Sequence, residues 1–289
     1  MASRAGGGAR MRLRLLVMAL AAMTPQAQAQ LQGCDGSVLL DSTPGSQAEK
    51  DAPPNSSLRG FEVIDSAKTR LEQACYGVVS CADVLAFAAR DALALVGGPQ
   101  YQVPAGRLDG NVSVANETSG NLPPPTANVN QLNQIFGSKG LTQAEMVALS
   151  GAHTVGMAQC SSFDTRLYAS GPNSKGQDPT MDPSYLAALT TQCPQQSAAA
   201  QPQPLVDMDP VTPTTFDANY YANVAANRGL LASDQALLAD PTAAAQVIGY
   251  TNSPDTFPTD FADAMVSMGN VGVLTGSGGT VRTNCRVVG

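Results

Sequence analysis

The sequence has no tryptophan and a single histidine, His153, in 289 residues. The missing tryptophan carries no functional reading. The missing second histidine does, because the usual zinc sets draw on several histidines or cysteines, and a metal hydrolase is therefore set aside. Basic residues are also in deficit. Sixteen Lys and Arg stand against 23 Asp and Glu, a net charge of −7, whereas a nucleic-acid partner calls for a basic footprint. No apolar run approaches the roughly 20 residues that a helix needs to cross a bilayer. There is also no internal repeat and no alternating strand–helix rhythm of the kind that marks a parallel α/β sheet.

The N-terminus reads as a targeting segment. Arg4, Arg10, Arg12 and Arg14 form a positive region, Leu15 to Met23 an apolar one, and Ala27-Gln28-Ala29 a small-residue cleavage site. This is the pattern of a secretory signal peptide over residues 1–29, with a mature chain from Gln30. The expected location is extracellular or cell wall. Six cysteines in a secreted chain then suggest disulfides.

The rest reads as one mostly helical domain with a few short strands. Phe61, Ile64, Ala67, Leu71 and Cys75 have helical spacing, and Ser80-Cys81-Ala82-Asp83 opens a second helix in capping fashion. Tyr101 to Val114 has room for short strands. A helix is expected near Asn128 to Phe136, after the rigid Asn121-Leu122-Pro123-Pro124-Pro125 loop. A stretch from Asp217 to about Arg228 stops at Gly229, and a last long helix runs near Pro258 to Met268. Ser197 to Pro204 is low in complexity and reads as a surface insertion.

Two regions carry candidate chemistry. Thr142-Gln143-Ala144-Glu145 is a capping box, and Met146, Leu149 and His153 follow on one helical face, turning the imidazole inward. Such an imidazole serves as a core residue, a catalytic base or a metal ligand. In Gly33-Cys34-Asp35-Gly36-Ser37, oxygen-bearing side chains at alternate positions suit a hard cation, and equally an ordinary Asp-Gly turn. Asp209-Pro210-Val211-Thr212-Pro213-Thr214-Thr215-Phe216-Asp217 spaces carboxylates and hydroxyls in a similar way.

Five motifs in order resemble the plant secretory (class III) haem peroxidases. They are Gly33-Cys34-Asp35-Gly36-Ser37, Val79-Ser80-Cys81-Ala82-Asp83, Gly106-Arg107-Leu108-Asp109-Gly110, Ala148-Leu149-Ser150-Gly151-Ala152-His153-Thr154-Val155-Gly156 and Ser233-Asp234-Gln235. The resemblance spans Gln32 to Cys285. It implies a haem b cofactor with His153 as axial iron ligand and Asp234 holding the far side of the imidazole; unaided, Asp234 also reads as a helix cap. It implies a proximal calcium site of Thr154, Asp209, Thr212, Thr215 and Asp217, and a distal one of Gly33, Asp35, Ser37 and Glu49. Pro123 falls on the residue contacting aromatic donors and Asn55 on the distal asparagine. The implied reaction is oxidation of small phenolic donors by hydrogen peroxide, with no nucleic-acid or membrane partner. Disulfides Cys81–Cys285 and Cys160–Cys193 are implied. Asn55, Asn111 and Asn116 head glycosylation sequons, and for Asn55 an interior place is preferred over a sugar.

The chain also departs from the family. Members carry two helices before the Gly-Cys-Asp motif, the second bearing an arginine and a histidine above the haem, whereas here Gln30-Leu31 joins directly to Gln32-Gly33-Cys34. The expected domain, 30–289, is thus incomplete at its N-terminus. No distal acid–base residue is retained, the distal calcium site is depleted, and turnover is expected to be impaired. Glu49 and Asp51 are the substitutes at hand, and nothing in the sequence places them. Cys34 and Cys75 lose their family partners; pairing with each other, remaining free and bridging between chains all stay open. Two other readings stand beside an impaired peroxidase: a non-enzymatic secreted haem- or calcium-binding protein, and a defective gene model of an ordinary peroxidase. Oligomeric state is not readable.

Overall fold

The computed structural model describes residues 34–168, 177–195 and 203–288. The expected signal peptide, Gly33 and most of the Ser197–Pro204 insertion lie outside the described residues. The chain divides into two compact units, Met1–Leu122 with Met265–Gly289, and Pro123–Ala264.

In the first unit, α1 (Phe61–Ala74) and α2 (Cys81–Leu95) are the long elements. Ser80 caps α2, its side chain accepting the Asp83 amide. Val38, Leu39, Leu58, Ile64, Val84 and Leu85 form a core around the Cys81–Cys285 disulfide. Asp109, wholly buried, accepts the amides of Cys81, Ala82 and Arg282. It thus supplies negative charge to the N-terminus of α2, where the helix dipole favours it. Asp83 and Arg107 form a buried ion pair at 3.1 Å. Two of the five signature motifs therefore hold this unit together.

The strands expected within Tyr101–Val114 are not formed. Only isolated bridges occur, Leu108 with Leu274 and Asp109 with Thr280. Pro104 has no amide to give a ladder, and the amides of Gly106 and Arg107 are taken by the Asp83 carboxylate.

The second unit holds α3 (Val129–Ser138), α4 (Gln143–Ser150), α5 (Asp164–Leu167), α6 (Pro183–Gln192), α7 (Asn219–Ala225), α8 (Ala232–Gln235), α9 (Pro241–Asn252) and the start of α10 (Phe257–Met268). Among the described residues its one sheet pairs β1 (Met157–Gln159) antiparallel to β2 (Leu205–Asp207), in register Met157 to Asp207. Asn128 and Thr142 both make full capping boxes, with Gln131 and Glu145. Phe163, Leu167, Met181, Leu189, Val206 and Leu230 pack around the Cys160–Cys193 disulfide. Phe216 stacks on Phe257, ring centres 4.9 Å apart, and Tyr221 meets Phe257 edge-on.

Two boundaries differ from the periodicity. The helix expected to carry His153 ends at Ser150, and residues Gly151–Thr154 form a 3-10 turn. The turn lies against Tyr221 and Phe257 so closely that a Cβ at Gly151 would meet the Tyr221 hydroxyl at 2.4 Å. The helix expected from Asp217 to Arg228 is α7, shorter at both ends. Asp217 stays outside and accepts the Asn219 amide, and Asn227, at φ 61°, turns the chain before Gly229. The described chain is mostly helical with one small sheet. Among the described residues no helix is long and apolar enough to cross a membrane.

Candidate functional site

The second unit brings His153 and Asp234 together across 81 residues of sequence. The His153 Nδ1 lies 2.7 Å from Asp234 Oδ1. A carboxylate only accepts, so Nδ1 is the donor, and in the tautomer this selects the lone pair is at Nε2. The imidazole is 14% exposed and the carboxylate 3%. Asp234 receives two further hydrogen bonds: Tyr220 donates its hydroxyl to Oδ1 at 3.1 Å, and the Leu231 amide donates to Oδ2 at 2.8 Å. Tyr220 is fully buried, and burial first, then the Asp234 charge, pushes its phenol far above the ordinary range. It therefore stays a donor.

Sequence reasoning missed Tyr220 and the Leu231 amide. The available signal was the run into α7, where the buried Phe216, Tyr220 and Val224 recur every four residues with one hydroxyl among them. Pro123 is half-buried at the head of the proline loop, whose Pro125 carbonyl accepts the Ser233 amide at 3.0 Å.

Beside this pair the calcium-candidate residues meet. Thr154, wholly buried, donates its hydroxyl to Asp217 Oδ1 at 3.2 Å. Asp209, also wholly buried, accepts the amides of Val211 and Thr212 and the Asn223 side chain. Asn219 links Thr212 Oγ1 to Asp217 Oδ2. Thr215 joins only through backbone, its amide bonding to the Thr212 carbonyl. Among the described residues no group of three or more His, Cys, Asp or Glu is placed to hold a metal. This set instead offers two carboxylates with hydroxyl and carbonyl oxygens, a donor chemistry suited to calcium.

In the first unit, Ser37 donates to both oxygens of Glu49, at 3.2 and 3.0 Å, and Asp35 accepts the Ser37 amide. Asn55 is 1% exposed. Its Nδ2 donates to the Glu49 carbonyl at 2.8 Å, while its Oδ1 is buried with no hydrogen-bond partner among the described residues. Arg282 is also buried; its Nη2 donates to the Gly36 carbonyl and its Nε lies 3.7 Å from Asp109 Oδ2. Cys34 and Cys75 are both free thiols. Cys34 donates to the Met268 carbonyl, and burial pushes its thiol up to about 11. Asn55 itself is thus enclosed, whereas Asn111 and Asn116 are exposed.

Burial pushes the Glu49 carboxyl from 4.5 up to about 7. The folded chain then holds the proton more tightly than the unfolded one, so ionising Glu49 disfavours the fold. Without added metal, this contribution is intact below about pH 4.5 and lost as pH rises through 7. The unfolding free energy is expected to fall between pH 5 and 8 by on the order of 2 kcal/mol more in the parent than in Glu49→Gln. Denaturant titrations at both pH values measure this, and equal slopes refute it.

A family model described as peroxidase matches residues 10–253. The chain is 58% identical over 259 residues to Peroxidase 5 of Vitis vinifera, covering 89% of this chain and 78% of that protein. Peroxidase 1 of Oryza sativa subsp. japonica is 48% identical and Peroxidase 3 of Arabidopsis thaliana 46%, each again covering 89% of this chain. The chain belongs to the plant secretory peroxidase family. By family it is a haem peroxidase, an oxidoreductase. Its mostly helical fold with a two-stranded sheet agrees with that class.

Proposed function

We propose that this peroxidase is secreted after removal of residues 1–29, that it carries haem b on His153, and that it oxidises small phenolic donors with hydrogen peroxide at a reduced rate. The observation that carries the reading is the 2.7 Å bond from His153 Nδ1 to Asp234. It fixes the tautomer that leaves Nε2 for iron, and the carboxylate raises the basicity of the ligand. When bound, haem supplies the redox chemistry of peroxide reduction. The chain's own part on the proximal side is to hold His153 in one orientation through Asp234, which accepts three hydrogen bonds.

On the distal side the reaction needs a group that takes a proton from one peroxide oxygen and returns it to the other. His153 is the only histidine, and one imidazole does not serve both tasks. Glu49, the substitute at hand, has both oxygens engaged by Ser37. The unpartnered Asn55 Oδ1 supports the absence of a donor that family members supply from the two helices missing here, because buried acceptors are seldom left without one. The free Cys34 supports the absence of the same segment. The test is peroxide-dependent oxidation of a phenolic donor by the haem-loaded chain; none above free haem refutes the reading.

In this proposal Pro123 contacts the donor, and exposed Asn111 and Asn116 are the residues that bear sugar. Calcium is held by Thr154, Asp209, Thr212, Thr215 and Asp217, whereas Asp35, Ser37 and Glu49 form a depleted distal site. Removing calcium with a chelator is expected to lower the melting temperature by several degrees, as loss of a ligand bound only by the folded state requires. Asp217→Asn, which weakens the proximal site, removes most of that shift; a shift of the same size in Asp217→Asn refutes the proximal assignment.

A further inference from the structure

The Asp234 carboxylate does not serve His153 alone. Its Oδ1 is shared between the imidazole N–H at 2.7 Å and the Tyr220 hydroxyl at 3.1 Å. The geometry points to Tyr220 as a positioning residue that limits how strongly Asp234 draws on the His153 Nδ1 proton, and so sets how electron-rich the imidazole is toward bound iron. The inference rests on the proposed ligation of iron by His153.

The physical argument is one of competition. In a buried site a hydrogen bond to a carboxylate is strong, and each added donor withdraws charge from the oxygen it shares. Tyr220 is 2% exposed and Asp234 also 2%, so bulk water is shielded from the shared oxygen. The Leu231 amide stays on Oδ2 and is unaffected. Without the hydroxyl, Oδ1 holds one donor, the His153 N–H bond tightens, and the ring gains anionic character. A more basic imidazole favours ferric over ferrous iron. The Tyr220 ring also meets His153 edge-on at 5.9 Å, and phenylalanine keeps that contact. Tyr220→Phe therefore changes the hydroxyl and leaves the ring.

The test uses the full chain loaded with haem and reads the iron, not turnover. In Tyr220→Phe the ferric/ferrous midpoint is expected to move to lower potential, by a factor of about ten in the ferric/ferrous equilibrium, or about 59 mV for a one-electron couple. The iron–histidine stretch of the ferrous protein, read by resonance Raman, is expected to rise in frequency. Tyr220→Phe in an Asp234→Asn background separates this role from general packing: acting through the carboxylate, its effect there disappears. An unchanged or raised midpoint in the single variant overturns the inference, as does an equal shift in both backgrounds. His153→Ala is the control for the underlying reading, because haem that stays bound with an unchanged ferric spectrum after the only histidine is removed shows that ligation, not the tyrosine, was misassigned. If Tyr220→Phe does not fold, Asp234→Glu, which moves the oxygen shared by the two donors, must shift both midpoint and stretch; no shift overturns the proposal.

Discussion

Replacing His153 by alanine is expected to remove the haem absorbance band that the parent chain acquires on reconstitution. Loss of a partner one bond away from a metal ligand typically weakens metal binding about 10- to 100-fold, and loss of the ligand itself must cost at least that much. The chain offers no second imidazole to take over, since His153 is its only histidine. Folding is expected to survive, because the side chain keeps one exposed edge and sits in a turn whose packing runs through Gly151, Tyr221 and Phe257. Imidazole added to His153→Ala is expected to restore part of the band, with Asp234 still in place to hold its far nitrogen. Equal absorbance in parent and variant, at matched protein and haem concentrations, refutes the assignment.

Turnover with a phenolic donor is expected to lie about 10²- to 10⁴-fold below that of a full-length relative at matched haem loading. That range is the rate contribution of a positioned general acid–base group, and a charged distal residue that stabilises the separating oxygen adds to it. Inserting a family segment with its Arg-x-x-x-His helix between Ala29 and Gly33 is expected to recover most of the deficit. The same insertion should stabilise the fold by about 1–3 kcal/mol, the usual cost of leaving a buried polar group such as Asn55 Oδ1 without a partner. Comparable turnover before and after insertion refutes the distal argument. Sequencing the transcript across Ala29 to Gly33 shows whether the junction is encoded.

Much of the fold was legible in short windows. The capping boxes at Asn128 and Thr142 and the Ser80 cap involve residues three apart, and each is formed. Helix ends were less so. α4 stops before His153 because the next turn must pass against Tyr221 and Phe257, about 70 and 100 residues further along the chain. The strands imagined near Arg107 fail because their amides are claimed by Asp83, on another helix.

By itself, the sequence determined which residues were available to do chemistry: one imidazole, a shortage of basic charge, and motifs in the order of the peroxidases. It also determined the local hydrogen bonds, whose partners lie within a single helical turn. Only the tertiary structure decided which groups share an environment. It gathered His153, Tyr220 and Leu231 around the Asp234 carboxylate, buried Glu49 until its proton is held near neutral pH, and enclosed Asn55 with an acceptor left over. The physical reason is that burial and shared acceptors depend on contacts between distant segments, and composition and spacing say nothing of which distant segments meet.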